Sequence, residues 1–493
     1  MLHVAQGVIF EPISSCAIEP TQFKPKPDVS NQPIILSAFT MNTVSHLNFG
    51  LWRHPDDQTH RYTEIGYWVE LAKLLDDGGF DNLFIADALG LIDVYAGTPD
   101  TSLRTGAQSP VNDPMLLVSA MAAATRHLGF GITVSTTYEH PYLLARKFST
   151  LDHLTGGRIA WNIVTSLLDS AARNLGHERQ VAHDERYEIA DEFLDVVYKL
   201  WQHSWQDGAV LRDPSDARHA GGVYTDPARV RAINHRGRYF TVPDAHLSEP
   251  SPQRVPVLFQ AGGSPRGQAF AGKHAEAVFV AGADAAGIRR NVAQLREAAR
   301  KNGRAPESIR FISGVAVITG ESDAAAQAKF DEYRAYFNVE ATVAHFSSTT
   351  GIDFSEQPLD APLKYRETDS SRSLLRMFDD PESGRQWSLR EALAPQHGFG
   401  RSKTIVGGAV TVADAIDRWL AETDTDGINL IYAVNPGSFG DFVTHVVPEL
   451  RRRGRLRERS EGTLRQRLFD HGSSYLPADH PAHRLRIDKA VTA

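Results

Sequence analysis

The sequence predicts an α/β fold, a closed (β/α)8 TIM barrel with long insertions in its βα loops. Two observations carry that expectation. From Pro33 onward, short apolar runs alternate with amphipathic segments of helical period, and eight such runs can be counted along the 493 residues. This alternation is what a parallel sheet with crossover helices leaves in a sequence. No segment repeats at a fixed spacing, which excludes the solenoids that would also alternate such elements.

Ile34-Ile35-Leu36 reads as the first buried strand, and after a long loop Ile65, Trp68, Val69, Ala72 and Leu75 recur at helical spacing up to Gly78-Gly79. Leu83-Phe84-Ile85-Ala86 is the second strand, followed by a helix from Met115 to Thr125. Strand Phe130 to Ser135, helix Pro141 to Leu154 and strand Ile159 to Val164 bring the count to four units. A helix from about Tyr187 to Trp201 buries Ile189, Phe193, Val196, Val197 and Leu200. Strands at Val255 to Gln260, Ala277 to Val280, Ile309 to Ile318 and Ile428 to Val434 then alternate with helices near 265–273, 285–302, 324–336 and 411–421.

Residues 1–30, rich in Pro and polar side chains, read as an N-terminal extension, 31–455 as the barrel and 456–493 as a charged C-terminal tail. Two stretches are too long for ordinary connections: 205–250, rich in Asp, Pro, Gly and Arg, and 339–405, of mixed polarity. Both are expected to set substrate choice, the second as a lid. The Arg451 to Arg459 cluster is broken by Glu458 and reads as a solvated helix end or subunit contact.

Composition narrows the function. A hydrophobic fraction of 42% and a charged fraction of 23% supply an ordinary globular core. The net charge of −8 has the wrong sign for a chain that neutralises phosphate backbones, so nucleic acid is excluded. No apolar run is long enough to span a bilayer. The single cysteine, Cys16, excludes an internal disulfide framework and suits the cytoplasm. The 20 histidines are scattered without the carboxylates that would argue for a metal, and no Walker A or dinucleotide fingerprint is present.

In such a barrel the ligand site lies at the carboxyl ends of the strands. Asp87 follows the second strand directly, where it either orients a ligand or caps the turn. Thr133 and Ser135 alternate on one face of the third strand, and Asn162 with Thr165-Ser166 closes the fourth. His183 and Tyr187, four residues apart, share one face at a helix start. In Gln260-Ala261-Gly262-Gly263-Ser264-Pro265-Arg266-Gly267, a strand gives way to a helix with Ser264 at the N-cap and Pro265 first inside. Unpaired amides there, approachable beside Gly262 and Gly263, suit a phosphate monoester such as that of FMN.

Taken together, Gly50-Leu51-Trp52-Arg53-His54, Thr136-Thr137-Tyr138, Gly156-Gly157-Arg158, Trp161 to Ser166, His183 to Tyr187 and Gln260 to Gly267 resemble the bacterial luciferase-like flavin-dependent monooxygenases. The resemblance covers roughly residues 33 to 455. It is to the branch of nitrilotriacetate monooxygenase, pristinamycin synthase and dibenzothiophene sulfone monooxygenase.

The resemblance implies a two-component enzyme in which reduced FMN, supplied by a separate NAD(P)H:flavin reductase, and O2 oxidise a small heterocyclic or xenobiotic compound. It places flavin ligands on Asp87, Thr133, His183, Tyr187 and Ser264, with Gly263 alongside. Asn162 and the loop holding His46 and Trp52 are expected to border the reacting face. A homodimer or homotetramer is the expected assembly. Oxidative cleavage of a heterocycle such as riboflavin, a deazaflavin-dependent dehydrogenase and a non-catalytic flavin carrier remain open alternatives.

Overall fold

A computed structural model describes residues 32–216, 221–282, 284–363, 387–393, 402–469 and 471–486. The expected extension at 1–30, with Cys16, lies outside the described residues, as does part of the 339–405 stretch.

Nine strands form the sheet: β1 (Ile35–Met41), β2 (Asn82–Ala86), β3 (Gly129–Ser135), β4 (Ile159–Val164), β5 (Val257–Gln260), β6 (Ala277–Val280), β7 (Arg310–Thr319), β8 (Lys403–Gly407) and β9 (Gly427–Ile431). All pairings among them are parallel. Seven successive strands pair in order from β1 to β7, β9 pairs with both β7 and β1, and the barrel is closed. These are the eight strands read from sequence.

The helices described below are α1 (Ile65–Gly78), α2 (Val118–Ala123), α3 (Pro141–Thr155), α4 (His183–Tyr198), α5 (Pro265–His274), α6 (Ala285–Lys301), α7 (Asp323–Ala335), α8 (Val339–Thr350) and α9 (Ala409–Thr423). Each barrel strand is wrapped on its outer side by apolar helix faces, Leu71, Phe148, Phe193 and Trp419 among them, in one continuous core. That double burial is why the strands read as unbroken apolar runs.

β8 is a correction to the sequence reading, which placed it within the 339–405 insertion. Its five residues pair only with the upper half of β7, Val315 to Thr319, which overlaps the segment that closes the barrel, Ile312 to Ala316, by two residues. Of the described residues between β7 and α9, those of α8 reach the cavity at the carboxyl ends of the strands, where a βα insertion belongs. The 205–250 stretch behaves differently. It follows α4 and precedes β5, so it connects a helix to the next strand at the opposite end of the barrel.

Inside the barrel, Phe84 stacks on Phe279 at 4.3 Å and on Phe39 at 4.8 Å, with Phe259 edge-on to Phe279 at 5.2 Å. Below this layer the C-terminal tail returns to the barrel. Leu464, Leu468 and Phe469 enter the barrel interior beside Ile35, Ala160, Val257 and Ile312. A Cβ on Gly129 would sit 2.6 Å from Leu464, so glycine makes room for the plug.

Arg465 pins it. Fully buried, it contacts both oxygens of the buried Glu276 at 2.7 and 2.8 Å and donates to the carbonyls of Val255 and Pro256. A charge survives burial only when paired and hydrogen-bonded in this way.

Candidate functional site

Above the aromatic layer, a cavity of about 360 Å3 opens among the carboxyl ends of β2, β4 and β5. Its polar wall is built on two helix starts. Ser264 adopts extended backbone and its hydroxyl accepts from the Gly267 N–H at 3.1 Å, capping α5 with Pro265 at the first position, as the sequence indicated.

α4 begins at His183, whose Nε2 lies 3.3 Å from Ser264 Oγ while its Nδ1 contacts Asp184 at 2.6 Å. One turn on, the Tyr187 ring packs edge-on to His183 at 5.4 Å and against Phe270 at 5.5 Å. Its buried hydroxyl bonds Ser264 and Thr165, and burial pushes its pKa up.

Gly262 and Gly267 are required by this packing. A Cβ at Gly262 would lie 2.3 Å from Gln260 Nε2, and one at Gly267 would lie 2.7 Å from the Tyr187 hydroxyl. The result is a bare backbone cradle at the start of α5, faced by two hydroxyls, an imidazole and the buried Arg186, which lines the same cavity. This donor set fits a phosphate monoester. Arg186 was missed in the sequence reading although it stands inside the His183 to Tyr187 motif; only the fold shows which helix face turns inward.

Asp87 lines the cavity at the tip of β2. Burial pushes its carboxyl up to about 7; the Ala88 N–H, donating at 2.9 Å, opposes the shift and nearby Asp113 adds to it. Gly263 also lines the cavity.

Four expected site residues are placed elsewhere. Thr133 and Asn162 are paired in the barrel interior, the Asn162 amide donating to Thr133 Oγ1 at 2.9 Å, and neither lines the cavity. Ser135, the alternative on the same strand face, comes closer: Ser166, which lines the cavity, donates to its hydroxyl at 2.8 Å. His46 backs the wall rather than forming it. Its ring is edge-on to Phe39 at 4.5 Å, burial holds its pKa down at about 3, and its carbonyl accepts from the cavity residue Gln108. Trp52 is outside the cavity and 37% exposed, because its indole N–H is donated to the Thr105 carbonyl at 2.8 Å.

Of the two long stretches, α8 contributes His345, Ser348 and Thr349 to the cavity and the described residues of 205–250 contribute none, which follows from their opposite ends of the barrel. Among the described residues there is no cluster of three metal-ligating side chains, and no helix is long and apolar enough to cross a membrane.

Comparison with known proteins agrees with this geometry. The family model "Luciferase-like monooxygenase" matches residues 47–426. The chain is 47% identical over 454 residues to dimethyl-sulfide monooxygenase of Hyphomicrobium sulfonivorans, covering 92% of this chain and 94% of that protein. It is likewise 47% identical over 456 residues to long-chain alkane monooxygenase of Geobacillus thermodenitrificans, covering 92% and 98%.

Among solved structures, riboflavin lyase with modified FMN and substrate riboflavin superposes with a TM-score of 0.85 at 35% identity, covering 93% of this chain and 100% of that one. Nitrilotriacetate monooxygenase, dibenzothiophene-sulfone monooxygenase and pristinamycin IIA synthase, the branch indicated by the motifs, are relatives as well.

Proposed function

The chain belongs to the luciferase-like monooxygenases, and on that premise we propose that it is the oxygenase of a two-component system, taking reduced FMN from a separate reductase and using O2 to oxidise a small organic molecule. The observation that carries the cofactor is the capped start of α5, where Ser264, Tyr187 and His183 converge on a backbone that glycines leave bare.

Ser264 Oγ, the Tyr187 hydroxyl and the Arg266 amide in the first turn of α5 would hold the phosphate, with the Arg186 guanidinium supplying countercharge. Gly263 lets the backbone approach. When bound, reduced FMN supplies the electrons that activate O2 for transfer of one oxygen atom. The chain's own work is positional: Asp184 fixes His183 through Nδ1, which turns Nε2 toward the Ser264 hydroxyl, and the walls keep water from the reacting face. Asp87, close to half protonated at neutral pH, can hold or release a proton at its carboxyl beside the same space.

The named substrates of the relatives span dimethyl sulfide, alkanes and nitrilotriacetate, which leaves the molecule oxidised open at this level. The likeness to riboflavin lyase favours a second outcome, oxidative cleavage of a heterocycle at the same site.

Mass spectrometry of products formed from reduced FMN, O2 and a panel of sulfides, alkanes, aminocarboxylates and flavins tests the proposal. A product carrying one added oxygen atom supports oxygenation, and a fragmented ring supports cleavage. Absence of any product beyond those of an enzyme-free control across the panel would refute both. A homodimer or homotetramer in the cytoplasm is the expected setting.

A further inference from the structure

The cavity is chemically lopsided, and the asymmetry bears on what is oxidised. Its cationic and strongly hydrogen-bonding groups gather at the α5 end, where Arg186 is the lysine or arginine contributed by the described residues. The facing wall is Leu89, Ile92, Leu167, Leu168 and Ala171, with the acid Asp87 beside it, and Gln108 with His345, Ser348 and Thr349 of α8 completes the lining.

This wall is held in place. A Cβ on Gly90 would sit 2.3 Å from Ser170 Oγ and 2.5 Å from the Ala171 nitrogen, so the loop carrying Leu89 and Ile92 lies directly on the short helix Asp169–Asn174. Ser170 Oγ donates to the Leu91 carbonyl at 2.6 Å, and Arg173 pairs with Asp93. The one nearby arginine on this helix is thereby committed outward, and no cation is positioned to enter the cavity from this side among the described residues.

We infer that the molecule oxidised is neutral and largely apolar, and that the Leu89–Ile92 loop is the element that rejects carboxylates. The inference rests on the flavin reading above, because FMN would occupy the α5 end and its phosphate would use the cations there. A carboxylate brought against the Leu89–Ile92 side would lose its hydration without gaining a lysine or arginine partner, at a cost of several kcal/mol. Asp87 adds like-charge repulsion once ionised. Leu89, 43% exposed, stands at the mouth where a substituted side chain reaches both cavity and solvent.

The test is calorimetric binding of two probes of the same shape, thioanisole and 4-(methylthio)benzoate, to the chain reconstituted with FMN at pH 8. Thioanisole is expected to bind, and the benzoate at least about 100-fold more weakly. Leu89→Arg should tighten the benzoate by about 5-fold, as a half-exposed ion pair does, while FMN affinity stays unchanged. Leu175→Arg, exposed and outside the cavity lining, should give no such gain.

Equal binding of the two probes, no binding of thioanisole to the FMN-loaded chain, or no gain in Leu89→Arg would each overturn the inference. Failure of the wild-type chain to take up FMN would instead strike the functional reading, so the two failures are told apart.

Discussion

Replacing Gly267 by alanine isolates the cradle from the stability of the helix that forms it. Gly267 lies in the first turn of α5 with ordinary helical backbone, so alanine there gains up to ~1 kcal/mol of helix propensity. The added methyl, however, would lie 2.7 Å from the Tyr187 hydroxyl and 3.1 Å from Ser264 Oγ. Tyr187 has little freedom to yield, with His183 at 5.4 Å, Phe270 at 5.5 Å and the Arg266 guanidinium 5.5 Å over its ring.

The hydroxyl must therefore leave its bond to Ser264, and a ligand phosphate loses one donor. A hydrogen bond to a charged group is worth about 1.5–3 kcal/mol, which is roughly a 10- to 150-fold loss of FMN affinity. Titration of flavin fluorescence measures that loss, and a thermal melt on the same protein should show little change or a small gain. In a Tyr187→Phe background the same alanine should cost little more, since the group it collides with is gone. FMN binding as tight in Gly267→Ala as in the wild type would refute the placement of the phosphate beside Tyr187.

Two further outcomes follow from the same geometry. Arg465→Met strips the buried Glu276 of its partner and should cost about 3–5 kcal/mol in denaturant unfolding; adding Glu276→Gln should recover part of it, and an unchanged midpoint would show that the tail is not bound in the barrel. The Asp87 carboxyl is raised to about 7 in the folded chain, so between pH 4 and 7 the folded state holds a proton that the unfolded state has released. Stability should therefore fall as pH rises through that window, by ~1–2 kcal/mol once solvent screening is allowed for. Asp87→Asn should remove that slope in melts run from pH 4 to 8, and a slope of the same size in both proteins would contradict it.

What was legible in the sequence follows the physics of each feature. The eight barrel strands are buried on both faces, so their apolar runs stand out, and the Ser264-Pro265 cap is a local signature that needs no tertiary contact. β8 escaped notice because it is short, lies outside the closed barrel and begins with two half-buried polar residues, Lys403 and Thr404, in place of an apolar run. That the charged tail docks in the barrel is not legible locally, because arginines are ordinarily solvated and Arg465 finds Glu276 at a separation of 189 residues that no local pattern reveals.

Trp52 and Arg186 err in opposite directions for one reason. Which way a side chain turns is decided by where its loop or helix docks: Trp52 onto the Thr105 carbonyl, and Arg186 into the cavity. The same holds for Thr133, which shares a strand face with Ser135 but sits deeper, tied to Asn162.

The most direct test compares FMN with riboflavin, which lacks the phosphate, in equilibrium titrations of the wild-type chain and of Ser264→Asp. The wild type should bind FMN far more tightly than riboflavin, and the aspartate, placing a negative charge at the α5 N-cap, should erase that preference while riboflavin affinity stays near its original value. A Ser264→Asp chain that keeps its preference for FMN would show that the phosphate is held elsewhere.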